Sequence, residues 1–207
     1  MARIDADDIA APTRFQRQVE LLAAHPQIAA CGTGVCYFPS RLVRAGARAY
    51  ESWLNGLHTP EQVARDLFVE CPIAHPTLMA RTAVLRNMGG YQDNGWPEDY
   101  DLVLRLFEGG HPLANVPEVL HNWREGEKRL SRVDSRYSEN EFRRCKVHYL
   151  ERTILRGRQI VVWGAGPVGK AFARELTAHN VPVVGFIDVD PRKIGRRIQG
   201  NSRAVTP

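Results

Sequence analysis

This 207-residue sequence lacks two features that direct a protein into or across a membrane. No apolar run approaches the roughly 20 residues that a membrane-spanning helix needs. The N-terminus has no positively charged leader followed by a hydrophobic stretch, so no signal peptide is predicted. We therefore expect a cytoplasmic protein, and peripheral association with the inner face of a membrane is compatible with this expectation.

Cysteine is also scarce, and its four copies form no recognisable framework: Cys31, Cys36, Cys71 and Cys145. No C-x-x-C pair occurs, and the spacing matches no zinc-site pattern. The sequence therefore predicts reduced thiols, most of them small core residues, as is usual in the cytoplasm.

Lysine is nearly absent, since only 4 of the 28 basic residues are lysine and 24 are arginine. The formal net charge is +5. Because the planar guanidinium group binds phosphate through two parallel hydrogen bonds, anionic partners such as nucleotides or phospholipid headgroups are indicated. Genome composition explains the same bias equally well. The basic stretch KRLSRVDSRYSENEFRRCK alternates with acids and organises no stacking aromatic residues, so we predict no nucleic-acid partner.

Apolar spacing, glycines and prolines together predict an α/β fold. Residues 12–24 are predicted to form a helix, because Phe15, Val19 and Leu22 recur at spacings of four and three. Residues 28–38 are typical of a buried strand interrupted by glycines. Thereafter the pattern predicts an irregular stretch at 40–57, a helix capped by Thr59, a strand at 75–81, a helix at 82–88, a helix starting near Pro97, an extended segment at 114–125 and a long helix at 134–155.

The opening residues hold a first cluster of carboxylates. If the backbone is extended there, Asp5 and Asp7 lie on the same side of it, because side chains alternate along a strand. Carboxylate oxygens suit Mg²⁺ or Mn²⁺, and such an ion neutralises the diphosphate of a nucleotide leaving group. An acidic turn ahead of the following helix explains the same residues.

A second carboxylate cluster lies at the predicted start of a helix, in the stretch Trp-Pro-Glu-Asp-Tyr-Asp at residues 96–101. The helix dipole at this end favours the ionised form of a carboxylate. An ionised carboxylate in a cleft can accept the proton of a sugar hydroxyl as that hydroxyl attacks. An ordinary acidic first turn is the alternative.

Three segments, taken together and in this order, resemble family 2 glycosyltransferases of the GT-A fold: RIDADDIAAPTRFQRQVELLAAHPQIAACGT, CPIAHPTLMAR and GGYQDNGWPEDYDLVLRL. The resemblance covers residues 2–132. It implies an inverting enzyme that moves a sugar from a nucleotide-diphosphate donor to a saccharide or lipid-linked acceptor, for cell-envelope polysaccharide synthesis. It also implies Mn²⁺ or Mg²⁺ as cofactor.

The resemblance assigns roles to individual carboxylates. Asp7 corresponds to the main metal ligand of the family's Asp-x-Asp motif, and Asp5 would lie near the donor ribose or the metal. Asp8 adjoins the motif. Asp99 corresponds to the general base, with Glu98 beside it in the acceptor region.

The sequence departs from the family pattern at two motifs. One is the stretch HNWREGEKRLSR, and the other is a motif typical of polymer synthases. Trp123, Arg124 and Ser131 can be matched, but no histidine follows Arg124 to anchor the diphosphate. Arg124 or Lys128 could pair with phosphate instead. The Q-x-x-R-W mark of processive synthases is missing, so transfer of single sugars is expected. His75 stands where similar chains carry His-Pro-Thr, and a strand-end histidine bonded to backbone explains it equally well.

A further departure concerns the start of the chain. In the family, strands that hold the nucleotide base precede the Asp-x-Asp motif, and this sequence does not contain them. We expect Met1 to be an internal methionine, a misassigned start or a true truncation. The chain by itself is expected to be weakly active or inactive.

A glycine turn near the other end matches G-x-G-x-x-G between a predicted strand and a predicted helix. Gly164 would make the tight turn, Gly166 would let the backbone approach a phosphate, and Gly169 would let the helix pack on the strand. Asp188 ends the next strand, where a carboxylate could bind a ribose hydroxyl. A nucleotide or nucleotide-sugar site and a mere packing module explain this turn equally well.

The sequence therefore predicts three parts: half of a GT-A domain at 1–132, a helical linker at 133–158 and an incomplete Rossmann-like βαβ unit at 159–207. The alternative function is that of an NAD(P)- or nucleotide-binding Rossmann oxidoreductase fragment, based on the glycine turn.

Overall fold

A computed structural model describes residues 1–126, 129–198 and 203–205. The chain divides into two compact units, Met1–Tyr137 and Ser138–Pro207. Both combine helices with a sheet, which confirms the predicted α/β class. The predicted boundaries at residues 132 and 158 stay predictions, as does the assignment to GT-A and Rossmann-like folds. None of the helices in the described part of the chain has the length and apolar character that a bilayer span requires.

The first unit is built on a mixed sheet. Its elements are β1 Ile9–Ala10, α1 Arg14–Ala24, β2 Ala30–Phe38, α2 Ala45–Leu54, α3 Pro60–Asp66, β3 Met79–Ala80, α4 Thr82–Asn87, α5 Glu98–Glu108, β4 Leu113–Arg124 and α6 Leu130–Val133. The strand order is β1-β4-β2-β3. β2 runs parallel to β4, whereas β1 pairs antiparallel with β4 and β3 pairs antiparallel with β2.

The two central strands approach each other closely at Gly32. A Cβ atom on this residue would lie 2.4 Å from Asn115 Oδ1 and 2.9 Å from Thr77 Oγ1. Glycine is therefore required for the spacing of β2 and β4. Their parallel pairing brings the carboxyl ends of both strands, at Phe38 and Arg124, to one edge of the sheet.

Helix α1 buries a different face from the one that its apolar residues suggest. Phe15 and Val19 are 46% and 56% exposed, while Arg14, Gln18 and Leu22 are buried. The Gln18 Nε2 atom donates to the carbonyl oxygens of Thr77 (2.7 Å) and Cys31 (3.2 Å), which replace its hydrogen bonds to water. The helix was predicted correctly, but its polar residues supply most of the packed face.

Other sequence predictions for this unit met mixed outcomes. The stretch 40–57 was wrongly predicted to be irregular, since α2 lies within it. Thr59 caps α3 through a reciprocal pair of bonds with Gln62, as predicted. Only Met79–Ala80 of the predicted strand at 75–81 is a strand, because His75–Thr77 forms a 3-10 turn.

The second unit contains α7 Glu139–Arg152, β5 Ile160–Trp163, α8 Pro167–Ala178, β6 Val183–Ile187 and β7 Arg203–Val205. Its strands are parallel, in the order β5-β6-β7. The predicted succession of strand, glycine turn, helix and strand is confirmed. The predicted long helix at 134–155 is shorter than expected, because Ser138 caps a helix that begins at Glu139.

Candidate functional site

The acidic opening of the chain forms a reverse turn. The Asp8 amide donates to the Asp5 carbonyl oxygen at 3.2 Å. The extended backbone assumed for the predicted metal ligands is therefore wrong at residues 5–8. Before the turn, Ala2 forms an antiparallel bridge with Met79 of β3, and the Arg3 amide donates to the carbonyl oxygen of Leu78 just ahead of that strand. The turn thus follows directly from an extended segment at the edge of the sheet.

Within this turn the carboxylates have different surroundings. Asp7 is the open one, since its side chain is 66% exposed. Asp5 Oδ1 accepts hydrogen bonds from Arg3 Nε at 3.2 Å and Nη2 at 3.0 Å. The Arg124 Nε atom donates to the Asp7 carbonyl oxygen at 2.8 Å and lies 3.8 Å from Asp7 Oδ2. The predicted metal ligand Asp7 and the predicted phosphate contact Arg124 are thereby in contact.

The side chain of Asp8 is buried, and both of its carboxylate oxygens have partners. Its Oδ1 accepts from the Arg124 amide at 2.7 Å, and its Oδ2 lies 2.8 Å from His121 Nε2. The other ring nitrogen of His121, Nδ1, lies 2.8 Å from Arg14 Nη1. Because a guanidinium can only donate, Nδ1 must accept, and the ring proton therefore sits on Nε2 and points to Asp8.

The buried network of Asp8, His121 and Arg14 ties the acidic turn to β4 and α1. Arg14 also donates to the backbone carbonyl oxygens of Pro76 and Arg3. No sequence signal marked Arg14 or His121. The network holds the backbone from which Asp7 projects.

Asp99 lies in the first turn of α5, as predicted. Its Oδ1 accepts from the Tyr100 amide at 2.8 Å, and its Oδ2 lies 3.7 Å from His75 Nδ1. Burial raises the pKa of Asp99 to about 6, and the negative charge of Glu98 acts in the same direction. Burial lowers the pKa of His75 to about 3, so its ring is neutral at pH 7.

Glu98 has one free carboxylate oxygen. Its Oε1 accepts from the Tyr137 hydroxyl at 3.0 Å. Its Oε2 is buried and has no hydrogen-bond partner among the described residues, although Arg136 Nη1 lies 3.9 Å away. This oxygen is therefore able to accept a hydrogen bond from a bound molecule.

Asp101 belongs to the same acidic turn but has a structural role. It is fully buried and accepts from Trp96 Nε1 at 2.8 Å and from Arg105 Nε at 2.7 Å. Arg105 in turn donates to the backbone carbonyls of Met88 and Gly90. This ion pair attaches the loop that carries Tyr91 and Trp96 to α5.

The two acidic clusters are linked by a continuous series of contacts. Arg3, paired with Asp5, also interacts with the Tyr91 hydroxyl. That hydroxyl lies 2.9 Å from His75 Nε2, and the opposite ring nitrogen of His75 faces Asp99. Asp5 and Asp99 therefore border the same polar region of the first unit. The contributions of Arg3 and Tyr91 were not identified from sequence.

The residues of this region fit a divalent cation only in part. Within the described residues, no group of three or more His, Cys, Asp or Glu side chains is arranged to hold a metal ion. Mg²⁺ and similar ions commonly take only one or two carboxylates together with substrate phosphates and water. The exposed carboxylate of Asp7 fits such a site. Asp5 fits less well, because Arg3 occupies one of its oxygens.

The glycine turn of the second unit has the geometry that its sequence predicted. Gly164 has φ of +106°, and Gly166 precedes the first residue of α8. A Cβ atom on Gly169 would lie 1.8 Å from the Gly164 carbonyl oxygen, so α8 can pack on the turn only with glycine there. A bound nucleotide at this turn stays a prediction.

Asp188 makes contacts that compete with the ribose contact predicted for it. It accepts from the amides of Asp190 (2.9 Å) and Ala165 (2.7 Å) and from Lys193 Nζ (2.9 Å). These hydrogen bonds, led by the one from Asp190, lower the pKa of Asp188 to about 2. With three of roughly four lone-pair sites used, little capacity is left for a ligand. Lys128, a predicted phosphate contact, lies outside the described residues.

Known proteins similar to this chain share one activity in their names. No protein-family model matches the chain. It is 31% identical over 171 residues to the amylovoran biosynthesis glycosyltransferase AmsE of Erwinia amylovora, covering 75% of this chain and 62% of AmsE. The chain is similar to glycosyltransferases. It is 34% identical over 141 residues to the putative glycosyltransferase EpsE of Bacillus subtilis, covering 67% of this chain and 48% of EpsE.

A third relative is the O-antigen biosynthesis glycosyltransferase WbnJ of Escherichia coli, 27% identical over 156 residues, which cover 74% of this chain and 58% of WbnJ. The chain thus spans about half to three fifths of the length of these curated relatives. The similarities support the predicted relationship to glycosyltransferases. The assignment to family 2 stays a prediction.

Proposed function

We propose that this chain forms the cation- and acceptor-binding part of an inverting, family 2-like glycosyltransferase. It would move a sugar from a nucleotide-diphosphate donor to a saccharide or lipid-linked acceptor in polysaccharide synthesis. The names of the similar proteins, which include amylovoran and O-antigen biosynthesis, support this class of reaction. The observation that carries the proposal is the half-buried carboxylate of Asp99, beside a neutral histidine and the carboxylate of Glu98.

Asp99 is the proposed general base. A pKa of about 6 leaves this carboxylate mostly ionised at pH 7, yet more basic than an ordinary aspartate. Within the described residues its Oδ2 makes no hydrogen bond, so this oxygen is available to the proton of an acceptor hydroxyl. The N-terminal end of α5 stabilises the ionised form before the proton arrives.

Neighbouring groups would orient the acceptor. The free Oε2 atom of Glu98 can accept a hydrogen bond from a second sugar hydroxyl. His75 is held by the Tyr91 hydroxyl and stays neutral, so it can offer a hydrogen bond without placing a positive charge beside the base. An acceptor bound in this way would present one hydroxyl to Asp99.

On the donor side, Asp7 and Arg124 are the proposed ligand-binding residues. A divalent cation, when bound, would neutralise the charge that develops on the leaving diphosphate. The exposed Asp7 carboxylate would hold that cation. The Arg124 guanidinium, placed by the Asp7 carbonyl oxygen and by the Phe38 ring 4.5 Å below it, could pair with a phosphate oxygen.

The alternative of an NAD(P)-dependent oxidoreductase fragment receives less support. Its main carboxylate, Asp188, is engaged by the Ala165 amide and by Lys193. We retain a nucleotide or nucleotide-sugar at the glycine turn as a subordinate proposal, based on the close packing of Gly169 against Gly164.

Replacing Asp99 by asparagine tests the proposal. Asparagine keeps the shape and the hydrogen bond from the Tyr100 amide but cannot accept the hydroxyl proton. The unmodified chain is expected to release nucleotide only slowly from sugar donors with saccharide and lipid-linked acceptors. That release should be lost in Asp99→Asn and kept in Asp93→Asn, whose exposed carboxylate lies in the loop before α5. Transfer by Asp99→Asn at the unchanged rate would contradict the proposal.

A further inference from the structure

A cavity of about 250 Å³ lies where β2 and β4 end in the first unit. Its lining comes from two segments: Arg41, Leu42, Val43 and Arg44, which follow β2, and Glu125, Gly126 and Arg132, which follow β4. Because β2 and β4 are parallel, both segments leave the same edge of the sheet. In α/β sheets this carboxyl edge is where ligands bind.

The charges that line this cavity do not cancel. Glu125 is buried, and its two oxygens are taken by Arg129 Nη1 at 3.2 Å and Arg132 Nη2 at 2.8 Å. Neither Arg41 nor Arg44 forms an ion pair within the described residues. Three arginines against one glutamate leave an excess of two positive charges in the lining. A recess whose lining carries an excess of one sign of charge concentrates ions of the opposite sign.

The size of the cavity limits what it can hold. Pockets for drug-sized molecules measure roughly 300–1,000 Å³, so a cavity of about 250 Å³ suits a small headgroup better than a whole nucleotide-sugar. Arginine binds phosphate through paired, charge-assisted hydrogen bonds. Phosphate and diphosphate groups match both the size and the charge.

The cavity also adjoins the proposed donor side. Glu125 follows Arg124, whose amide is bonded to Asp8 at 2.7 Å. The Glu125 amide itself donates to the Phe38 carbonyl oxygen at 2.7 Å. This hydrogen bond joins the two lining segments where they leave β2 and β4. The cavity and the acidic turn therefore share one edge of the sheet.

We propose that this cavity binds the phosphate or diphosphate group of a ligand. Arg41 and Arg44 would bind the phosphate directly, and Arg132 would assist from the position in which its ion pair with Glu125 holds it. The inference rests on the proposed function for the source of the phosphate, which is either the nucleotide of the donor or the phosphate of a lipid-linked acceptor. The binding itself is independent of sugar transfer.

Calorimetric titration with inorganic pyrophosphate tests the binding. EDTA in the buffer prevents a divalent cation from contributing. We expect Arg41→Gln and Arg44→Gln each to weaken pyrophosphate binding by about tenfold or more, since each removes a charge-assisted hydrogen bond. The double variant should show no measurable binding.

The matched control is Arg86→Gln, which removes the same charge from an exposed residue of α4. It should bind pyrophosphate like the unmodified chain. Arg41 and Arg44 are exposed, so their variants should keep the original melting temperature. Unchanged binding in the double variant, or an equal loss in Arg86→Gln, would overturn the proposal.

Two further titrations separate the sources of the phosphate. If the double variant loses affinity for UDP as well as for pyrophosphate, the cavity binds the phosphate of the donor. If the double variant loses affinity for farnesyl diphosphate but keeps its affinity for UDP, the cavity binds the phosphate of a lipid-linked acceptor. If the double variant binds UDP and farnesyl diphosphate like the unmodified chain, the cavity is not a phosphate site for either ligand. Transfer by Asp99→Asn at the unchanged rate, together with arginine-dependent pyrophosphate binding, would contradict the proposed function alone.

Discussion

The Oδ2 atom of Asp99 lies 3.7 Å from the Nδ1 atom of His75, and the two groups are nevertheless not a charged pair at neutral pH. Burial lowers the pKa of the histidine to about 3, and burial raises the pKa of the aspartate to about 6. A cationic partner would have stabilised the carboxylate and made it a weaker base. The neutral ring leaves Asp99 as a basic carboxylate next to a hydrogen-bonding group.

The first prediction concerns the pH dependence of transfer. If Asp99 must be ionised to accept the proton, kcat/KM should rise with pH and level off above a midpoint near 6. An aspartate with an unperturbed pKa would give a midpoint at about pH 4. Because the charge of Glu98 helps to raise the pKa of Asp99, Glu98→Gln should move the midpoint to lower pH. A midpoint near 4 in the unmodified chain would argue against Asp99 as the base.

The second prediction concerns stability. The pKa of Asp99 is raised to about 6, against 3.8 for an unperturbed aspartate, which means that the folded state binds this proton more tightly than the unfolded state. Stability is therefore lost as pH rises from about 4 through 6. Asp99→Asn should stabilise the chain at pH 8 by up to about 3 kcal/mol, and the gain should vanish near pH 3. Urea unfolding at pH 8 and pH 3 measures the free energy of unfolding of both chains. An equal gain in stability at the two pH values would contradict the argument from titration of Asp99.

The third prediction contrasts two arginines on one helix. Arg14→Gln should cost about 3 kcal/mol or more, because it leaves the buried Asp8 and His121 without their cation. Arg17→Gln removes only exposed pairs with Glu20 and Glu118 and should cost less than about 1 kcal/mol. Chemical denaturation of both variants gives the comparison. Similar costs would mean that the buried network does not stabilise the turn.

The fourth prediction concerns the glycine turn of the second unit. Gly169→Ala places a methyl group where the Gly164 carbonyl oxygen lies and should destabilise this unit by about 3 kcal/mol or more. Gly166→Ala meets no atom within 4 Å at negative φ and should cost about 1 kcal/mol or less. Hydrogen exchange in β5 and β6 reports on the second unit directly. Equal protection in the two variants would refute the packing argument.

The fifth prediction separates the two candidate metal carboxylates. Asp7→Asn should weaken Mn²⁺-dependent binding of a nucleotide-sugar by about tenfold or more, since it removes the open carboxylate ligand. Asp5→Asn should have a smaller effect on this binding, because Arg3 already engages that carboxylate. Calorimetry with and without Mn²⁺ distinguishes the two. A larger effect at Asp5 would reverse the assignment.

Local patterns were enough to identify several parts of this protein. The exchange of bonds between Thr59 and Gln62, the buried strand that ends at Phe38 and the succession around Gly164 and Gly169 depend on neighbours in sequence. Such features are governed by backbone geometry and capping, which are short-range effects. The resemblance to glycosyltransferases likewise came from short segments in order, and the similar proteins support it at that level.

The roles of individual polar residues depended on the tertiary structure. Asp99 and Asp101 stand two residues apart in one acidic turn, yet Asp101 faces Arg105 and Asp99 faces His75, because successive helical residues point in different directions. No sequence pattern marked Arg14, whose burial depends on a histidine 107 residues away.

Sequence by itself thus determined most of the helices and strands and the candidate chemistry of the two acidic clusters, but it missed α2 and the 3-10 turn at His75–Thr77. The fold decided which carboxylates stay open, which are neutralised and where Arg41 and Arg44 meet Glu125. The physical reason is that burial and charge pairing are set by contacts between residues distant in the chain, and these contacts exist only after the sheet has brought its carboxyl ends together.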